Sequence, residues 1–177
     1  MQLPRGYWQP NGLTKHIAPR PKTLIDCETV IDVGAGLRPF QWYTPKRHIC
    51  VEPYEPYCER LRAAGFEVVT ETAVVALAHL TADAIYMLDV IEHMTKEDAT
   101  AVIELALKAA KRQVVVYTPH GFMPQEVDHW GLGGHFWQKH RSGWLPREFP
   151  GWSIDLYYAP KRKAPEGFFA TKTLLAV

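Results

Sequence analysis

The sequence predicts an α/β fold in which a mostly parallel sheet is covered by helices on both faces. Short apolar runs rich in β-branched residues alternate along the chain with segments of helical periodicity, which is typical of right-handed βαβ crossovers. From Gly151 onward this alternation stops, because the strand-like runs GWSIDLYYAP and GFFATKTLLAV are separated only by KRKAPE. We therefore expect these two runs to pair as an antiparallel hairpin at the edge of the sheet.

The predicted strands that precede the hairpin are five apolar runs. They cover residues 30–33, 48–52, 66–70, 84–88 and 114–118. The clearest helix is predicted over residues 96–111, where Val102 and Leu105 belong to an apolar stripe. Acidic residues begin this segment and lysines end it, as the helix dipole favours. Longer loops rich in Pro, Gly and His remain at residues 1–24, an N-terminal cap, and at residues 118–143, a candidate substrate or lid loop.

Length and composition favour one packed domain over residues 1–177. The chain is 47% hydrophobic and 22% charged, which suits a single core. Its formal charge of +1 predicts no general attraction to nucleic acid or to an anionic membrane. The amino terminus lacks an apolar signal segment, and three cysteines without paired spacing suit a reducing compartment. We therefore expect a cytoplasmic protein without a membrane partner.

The stretch TVIDVGAGLRPF predicts a buried strand that enters a ligand-binding turn. Gly34 and Gly36, on either side of Ala35, leave the backbone bare where a ligand bound beyond a strand end would approach it. A dinucleotide site requires GxGxxG, but Pro39 stands where the third glycine would fall. Asp32 would also repel a pyrophosphate, whereas its carboxylate suits a cationic amine.

A second carboxylate, Glu52, ends the apolar run HICVE. At the carboxyl end of the second predicted strand, a carboxylate is placed to accept hydrogen bonds from both hydroxyls of a ribose. The pattern therefore favours a nucleoside cofactor.

With IDVGAG, Glu52, DVIEHM and VVVYTP in this order, the chain resembles class I S-adenosylmethionine-dependent methyltransferases. It is most similar to the type 11 and type 12 groups, which methylate sugars, quinones and other small molecules. The resemblance covers about residues 29–177 and implies a Rossmann-like sheet of seven strands with an antiparallel C-terminal hairpin. Arg38 replaces the family's usual third glycine, and Pro39 and Pro45 interrupt its first helix.

The resemblance also implies S-adenosyl-L-methionine as the cofactor and a set of residues that hold it. Asp32, Gly34 and Gly36 would lie beside the methionine portion, and Glu52 would bind the ribose. Further contacts would come from the adenine side and from the end of the fourth strand. The full set of implied cofactor-binding residues is Asp32, Gly34, Ala35, Gly36, Glu52, Pro53, Glu71, Leu88 and Asp89.

Methyl transfer from a sulfonium to a hydroxyl requires alignment of the acceptor and removal of its proton. Histidine is the natural base near neutral pH. His120 follows the fifth predicted strand and is our first candidate. His93 follows the fourth and is the weaker candidate, because a structural role that orders a loop is favoured for it. The loop that follows contains further histidines, three tryptophans and an arginine, which would bind a sugar or an anionic substrate or would pack the loop onto the sheet. They are His129, His135, His140, Trp130, Trp137, Trp144 and Arg141.

The sequence thus predicts O-methylation of a small molecule or a glycan residue, without a metal and without nucleic acid. Two alternatives stay open. The first alternative is a metal-dependent RNA ribose methyltransferase. DVIEH places Asp89, Glu92 and His93 in an arrangement similar to the metal-binding ExxEH of small-RNA ribose methyltransferases. The second is a module that binds S-adenosylmethionine without catalysis. Oligomeric state is not predicted.

Overall fold

The chain folds around a seven-stranded mixed sheet in the part that this computed structural model describes, namely residue 13 and residues 19–159 and 162–174. The strand order is β3-β2-β1-β4-β5-β7-β6. The first five strands pair in parallel, and β7 is antiparallel to both β5 and β6. The strands are β1 (Thr29–Val33), β2 (Arg47–Val51), β3 (Glu67–Val69), β4 (Ala82–Leu88), β5 (Ala110–Pro119), β6 (Ser153–Tyr157) and β7 (Gly167–Thr173).

This architecture confirms the predicted α/β class and the antiparallel C-terminal hairpin. The four helices of the described residues are α1 (Glu55–Ala63), α2 (Ala73–Leu77), α3 (Lys96–Ala109) and α4 (His135–Gln138). The Thr95 hydroxyl caps α3 by accepting a hydrogen bond from the Asp98 amide, 3.1 Å away. The helix ends two residues before the predicted position, because Ala110 and Lys111 already belong to β5.

Both faces of the sheet are buried, but by different kinds of structure. On one face, Ile31 and Ile85 pack against apolar residues of α2 and α3. On the other face, α1 packs near Cys50. No helix lies between β1 and β2 in the described chain. Residues 34–46 instead form an irregular segment whose Phe40 ring contacts Tyr86 edge-on at a centroid distance of 4.9 Å. The prolines in this segment explain why the expected first helix is missing.

The strand order reverses direction at β1, which lies between β2 and β4. In open α/β sheets the carboxyl ends of the strands at such a reversal form the ligand-binding crevice. The turns that follow β1, β2 and β4 therefore define where a site is expected. The described helices include none that is both long enough and apolar enough to cross a membrane.

The predicted N-terminal cap falls mostly outside the described residues. Leu13 is fully buried in the cluster that contains α1, and Leu24 packs on the face that contains Phe40. Residues 1–12 and 14–18 of the cap lie outside the part that the structure describes, as do residues 160, 161 and 175–177 of the hairpin.

Candidate functional site

A cavity of about 490 Å³ opens at the carboxyl ends of β1, β2, β4 and β5. This volume is in the range of small-molecule binding pockets. The turn after β1 and the end of β2 form one end of it, and the turn after β4 forms the other. The long segment that follows β5 covers both ends. Of the predicted cofactor residues, those that line the cavity are Gly34, Ala35, Glu52, Pro53, Leu88 and Asp89.

Gly34 begins the turn after β1 with a left-handed backbone (φ 63°). Its amide donates a 2.7 Å hydrogen bond to the Val51 carbonyl of the neighbouring strand. A Cβ atom at this position would lie 2.8 Å from a methyl group of Val90. Glycine is therefore required both by the backbone conformation and by close packing, and the bare main chain faces the cavity.

At Gly36, a close contact with an aromatic ring requires glycine. It also has a positive φ of 52°, but a Cβ atom there would lie only 2.4 Å from Cη2 of Trp130. Gly36 is buried and does not line the cavity, whereas Trp130 does. The indole of Trp130, from the loop after β5, therefore covers Gly36, where the sequence had predicted an open backbone. A contact of Gly36 with the cofactor stays a prediction.

Glu52 follows β2 and its carboxylate faces the glycine turn. Oε2 accepts a hydrogen bond from the Gly36 amide (2.9 Å), and Oε1 accepts one from the Tyr54 amide (3.0 Å). Burial raises the pKa of this carboxyl to about 7, although the two amide donors act in the opposite direction. Each oxygen keeps a lone pair for a further donor. A carboxylate beside a glycine turn in a cavity of this size fits a nucleoside ribose.

Asp32 does not line the cavity, so its contact with a cofactor amine stays a prediction. It is 1% exposed. Its Oδ2 accepts a hydrogen bond from the Phe40 amide (2.8 Å) and lies 3.2 Å from Nε2 of His48. These bonds hold the irregular segment after β1 against the sheet. Glu71 is also outside the lining residues, and its carboxylate lies 2.8 Å from Nε2 of His79.

Asp89 connects the turn after β4 to the turn after β1. It has φ 56°, a left-handed conformation that is uncommon for a residue other than glycine. Its Oδ2 accepts a 2.9 Å hydrogen bond from Nη1 of Arg38. Arg38, at the position of the family's third glycine, lines the cavity and bridges its two ends. Such a strained conformation at a cavity is typical of functional sites.

Glu92 lies at the end of the cavity opposite Glu52, in a one-turn 3₁₀ helix (Ile91–His93) that follows β4. It is 2% exposed. Oε2 accepts a hydrogen bond from the Thr118 hydroxyl (3.0 Å), whereas Oε1 is buried without a hydrogen-bond partner in the described chain. Burial and then the nearby Asp89 raise the pKa of Glu92 well above its usual value. A buried carboxylate oxygen without a donor indicates a site for a ligand, because such a group is costly to leave unpaired.

His93 and His140 stand beside Glu92 with their rings 4.7 Å apart. Nδ1 of His140 donates to the Met123 carbonyl (2.6 Å), and Nδ1 of His93 lies 3.4 Å from the Lys139 carbonyl. Because a carbonyl only accepts, both Nε2 atoms keep a lone pair. Burial, with His140 as the next cause, lowers the pKa of His93 to about 4, and burial also lowers that of His140.

Together, Glu92, His93 and His140 offer ligand atoms that all lie within 4.8 Å of one another. Carboxylate and imidazole groups at this spacing fit a divalent metal ion. The sequence had indicated Glu92 and His93 through the DVIEH motif, with Asp89 as the third member. It gave His140 only as one histidine among several in the loop, because nothing in the spacing shows which of them returns to the turn after β4.

His120, the first candidate base, does not line the cavity. It is exposed, forms an isolated β-bridge with Trp144, and lies 6.3 Å from the Phe168 ring. Trp144 is buried at 4% exposure and packs against Phe149, as expected for a core residue. The side chain of His93, by contrast, does face the cavity. The structure thus separates the two predicted catalytic histidines.

No family model and no curated protein sequence matches the chain. Solved structures do. A SAM-dependent methyltransferase from Archaeoglobus fulgidus shares 14% sequence identity and a TM-score of 0.59, over 84% of this chain and 86% of that one. An S-adenosylmethionine-dependent methyltransferase from Clostridium acetobutylicum ATCC 824 shares 10% identity and a TM-score of 0.57, over 82% and 83% of the two chains.

The small RNA methyltransferase HEN1 is also similar, with 17% identity and a TM-score of 0.52. The likeness covers 83% of this chain but only 23% of that protein. Identities at this level carry information about the fold alone. The chain therefore has the fold of the class I S-adenosylmethionine-dependent methyltransferases.

Proposed function

We propose that the chain is an S-adenosylmethionine-dependent methyltransferase that acts on a hydroxyl group. The observation that carries this proposal is that one cavity joins the Glu52 carboxylate and the glycine turn at one end to a cluster of neutral imidazoles at the other. The first end suits a nucleoside cofactor, and the second suits an acceptor that must lose a proton.

The residues of the cavity have distinct roles in this proposal. Glu52 accepts hydrogen bonds from the ribose hydroxyls, and Gly34 lets the cofactor approach the main chain. Bound S-adenosylmethionine supplies an electrophilic methyl group, so that the protein has only to align the acceptor oxygen and handle its proton. Nε2 of His93 is the proton acceptor in this scheme, because its imidazole is neutral at pH 7 and faces the cavity.

The end of the cavity that contains Glu92, His93 and His140, here named the acceptor end, has an apolar rim. This rim favours a small molecule or a glycan residue as the acceptor. Phe136 of α4 is 68% exposed and meets Trp137 edge-on at a centroid distance of 5.1 Å. Both residues line the cavity. Aromatic side chains of this kind pack against the apolar faces of sugar or aromatic rings.

A second candidate is metal-dependent methylation of a ribose hydroxyl at the end of an RNA. Two observations favour it. Glu92, His93 and His140 form a set of metal ligands with fixed tautomers, and an imidazole whose pKa lies near 4 is a weak base when it acts alone. A divalent ion bound there would acidify an acceptor hydroxyl. Glu92, His93 and His140 would hold it, and the solved HEN1 structure shows that a small-RNA methyltransferase has a similar fold.

The test is to measure S-adenosylhomocysteine release from S-adenosylmethionine with three classes of acceptor: sugars, phenols and short RNAs. Each reaction is run with EDTA, and with EDTA followed by excess Mg²⁺ or Mn²⁺. Release from sugars or phenols that survives EDTA supports the first candidate. Release from RNA that EDTA stops and metal restores supports the second. Binding of the cofactor without release from any acceptor would contradict both and would favour a non-catalytic module.

A further inference from the structure

We propose that Trp130 is a cofactor-binding residue, and that residues 128–134, here named the Asp128 loop, form a wall of the cofactor site. This inference rests on the proposed function, because it takes the cofactor to lie between Gly34 and Glu52. It adds a binding residue from the segment after β5, far from the glycine turn in sequence.

The Asp128 loop is a built structure and not a loosely attached segment. The Asp128 carboxylate is 7% exposed and accepts three backbone hydrogen bonds, from the amides of Trp130 (2.8 Å), Leu132 (2.8 Å) and Gly134 (3.0 Å). These donors lower the pKa of Asp128 even though burial acts to raise it. One ionised carboxylate therefore fixes the turn that presents Trp130 to the cavity.

The loop is also attached to the cofactor end of the cavity at two points. The Tyr54 hydroxyl donates a 2.7 Å hydrogen bond to the Leu132 carbonyl, and the Tyr54 amide in turn donates to Glu52. The Tyr57 ring of α1 packs edge-on against the Trp130 ring at a centroid distance of 4.9 Å. The position of the indole is therefore coupled to the residues that surround Glu52.

Trp130 itself has the features of a ligand contact. Its six-membered ring covers Gly36, and the Arg38 guanidinium lies 6.0 Å from the ring centroid. The ring lines the same cavity as Gly34 and Glu52. Within the described chain its indole Nε1 is buried and has no hydrogen-bond partner, which leaves one donor for a polar atom of a bound ligand. An apolar ring with one unused donor suits a nucleoside, which has both a flat base and polar edges.

Isothermal titration calorimetry with S-adenosylhomocysteine tests the inference on the full chain. Removal of the ring in Trp130→Ala is expected to weaken binding at least about ten-fold, as loss of an aromatic contact to a base does. Trp130→Phe keeps most of the ring but loses the N–H donor, and is expected to weaken binding about three-fold. Trp152→Phe is the matched control, since Trp152 packs against Phe149 away from the cavity, and it should bind as the wild type does.

Binding by Glu52→Gln distinguishes a failure of the proposed Trp130 contact from a failure of the proposed cofactor position. If Glu52→Gln binds weakly and Trp130→Ala binds within two-fold of the wild type, the proposed role of Trp130 is overturned and the placement of the cofactor stands. If Glu52→Gln also binds normally, the placement fails, and the inference fails with it. Circular dichroism of each variant checks that the fold is kept.

Tryptophan fluorescence gives a second readout that does not depend on affinity. Saturating S-adenosylhomocysteine should change the emission of the wild type and of Trp152→Phe, because the ligand contacts the Trp130 indole. In Trp130→Phe this change should be lost. An equal change in Trp130→Phe would overturn the inference.

Discussion

The two ends of the cavity are built in different ways. At the cofactor end, Gly34 and Glu52 lie directly after neighbouring parallel strands, and their register fixes how close they come. At the acceptor end, Glu92 and His93 come from the turn after β4, whereas His140 comes from a segment that follows β5. The first end follows from local sequence and sheet pairing, while the second exists only once a long loop has returned to the sheet.

This difference extends to electrostatics. The Glu52 oxygens each accept a hydrogen bond from a backbone amide, whereas Nε1 of Trp130 at the same end is a buried donor without a partner in the described chain. Glu92 keeps one oxygen without a donor, and its neighbours His93 and His140 are held neutral by burial. The acceptor end therefore holds an unpaired carboxylate oxygen beside neutral imidazoles, which is expected where a metal ion or a reacting group must bind.

The largest effect is expected from substitution at the acceptor end. His140→Ala removes one imidazole from the cluster around Glu92, and we expect the rate of methyl transfer to fall about 10²- to 10⁴-fold. The Kd for S-adenosylhomocysteine should change less than two-fold, because His140 lies at the opposite end from Glu52. Single-turnover methyl transfer and calorimetry measure the two quantities.

His120→Ala is the matched control for that substitution. His120 is exposed and lies outside the residues that line the cavity. The rate should therefore stay within about three-fold of the wild type, in the range of a surface change. A large loss in His120→Ala together with normal activity in His140→Ala would reverse the roles assigned to the two histidines.

The next effect concerns pH and the cofactor end. Because burial raises the pKa of Glu52 to about 7, its carboxyl is protonated in the free protein below that pH. An ionised carboxylate accepts hydrogen bonds from both ribose hydroxyls, so affinity for S-adenosylhomocysteine should fall as pH drops below 7, by about ten-fold per unit at the steepest. Calorimetry over roughly 1.5 pH units on either side of that pKa measures this dependence.

Glu52→Gln supplies the comparison, because its amide does not titrate. Its weaker affinity should be independent of pH across the same range. A slope that persists unchanged in Glu52→Gln would assign the dependence to another group.

A smaller effect is expected on stability from Gly36→Ala. The new methyl group would meet the Trp130 ring at 2.4 Å and would sit on a backbone with φ 52°, so we expect a loss of about 2–4 kcal/mol in the free energy of unfolding. In a Trp130→Ala background the clash is absent, and the loss should fall to about 1–2 kcal/mol. Urea denaturation of the wild type, the two single variants and the double variant measures the coupling free energy between positions 36 and 130. Equal losses in both backgrounds would show that the indole does not cover Gly36.

The smallest effect is expected from Asp32→Asn. The amide oxygen still accepts a hydrogen bond from Phe40, but the charge beside His48 is lost, so stability should fall by about 1–2 kcal/mol. Affinity for S-adenosylhomocysteine should stay within two-fold. A ten-fold weaker affinity with unchanged stability would restore the direct cofactor contact that the sequence had indicated for Asp32.

The sequence by itself determined the sheet and most of the cofactor end. Apolar β-branched runs and helical periodicity specify α/β alternation, and residues at the ends of adjacent parallel strands must share one edge of the sheet. Gly34 and Glu52 could therefore be paired without a structure. DVIEH marked the acceptor end for the same reason, since Glu92 and His93 follow a strand directly.

Only the tertiary structure decided which partners these residues have. The sequence predicted Asp32 and Gly36 as ligand contacts, but the Phe40 amide is hydrogen-bonded to Asp32 and the Trp130 ring covers Gly36. Phe40 and Trp130 belong to irregular segments, whose course no sequence periodicity predicts. His140 rather than His120 joins His93 because the loop after β5 folds back onto the turn after β4. Such closure depends on long-range hydrogen bonds and packing, which short sequence patterns do not specify.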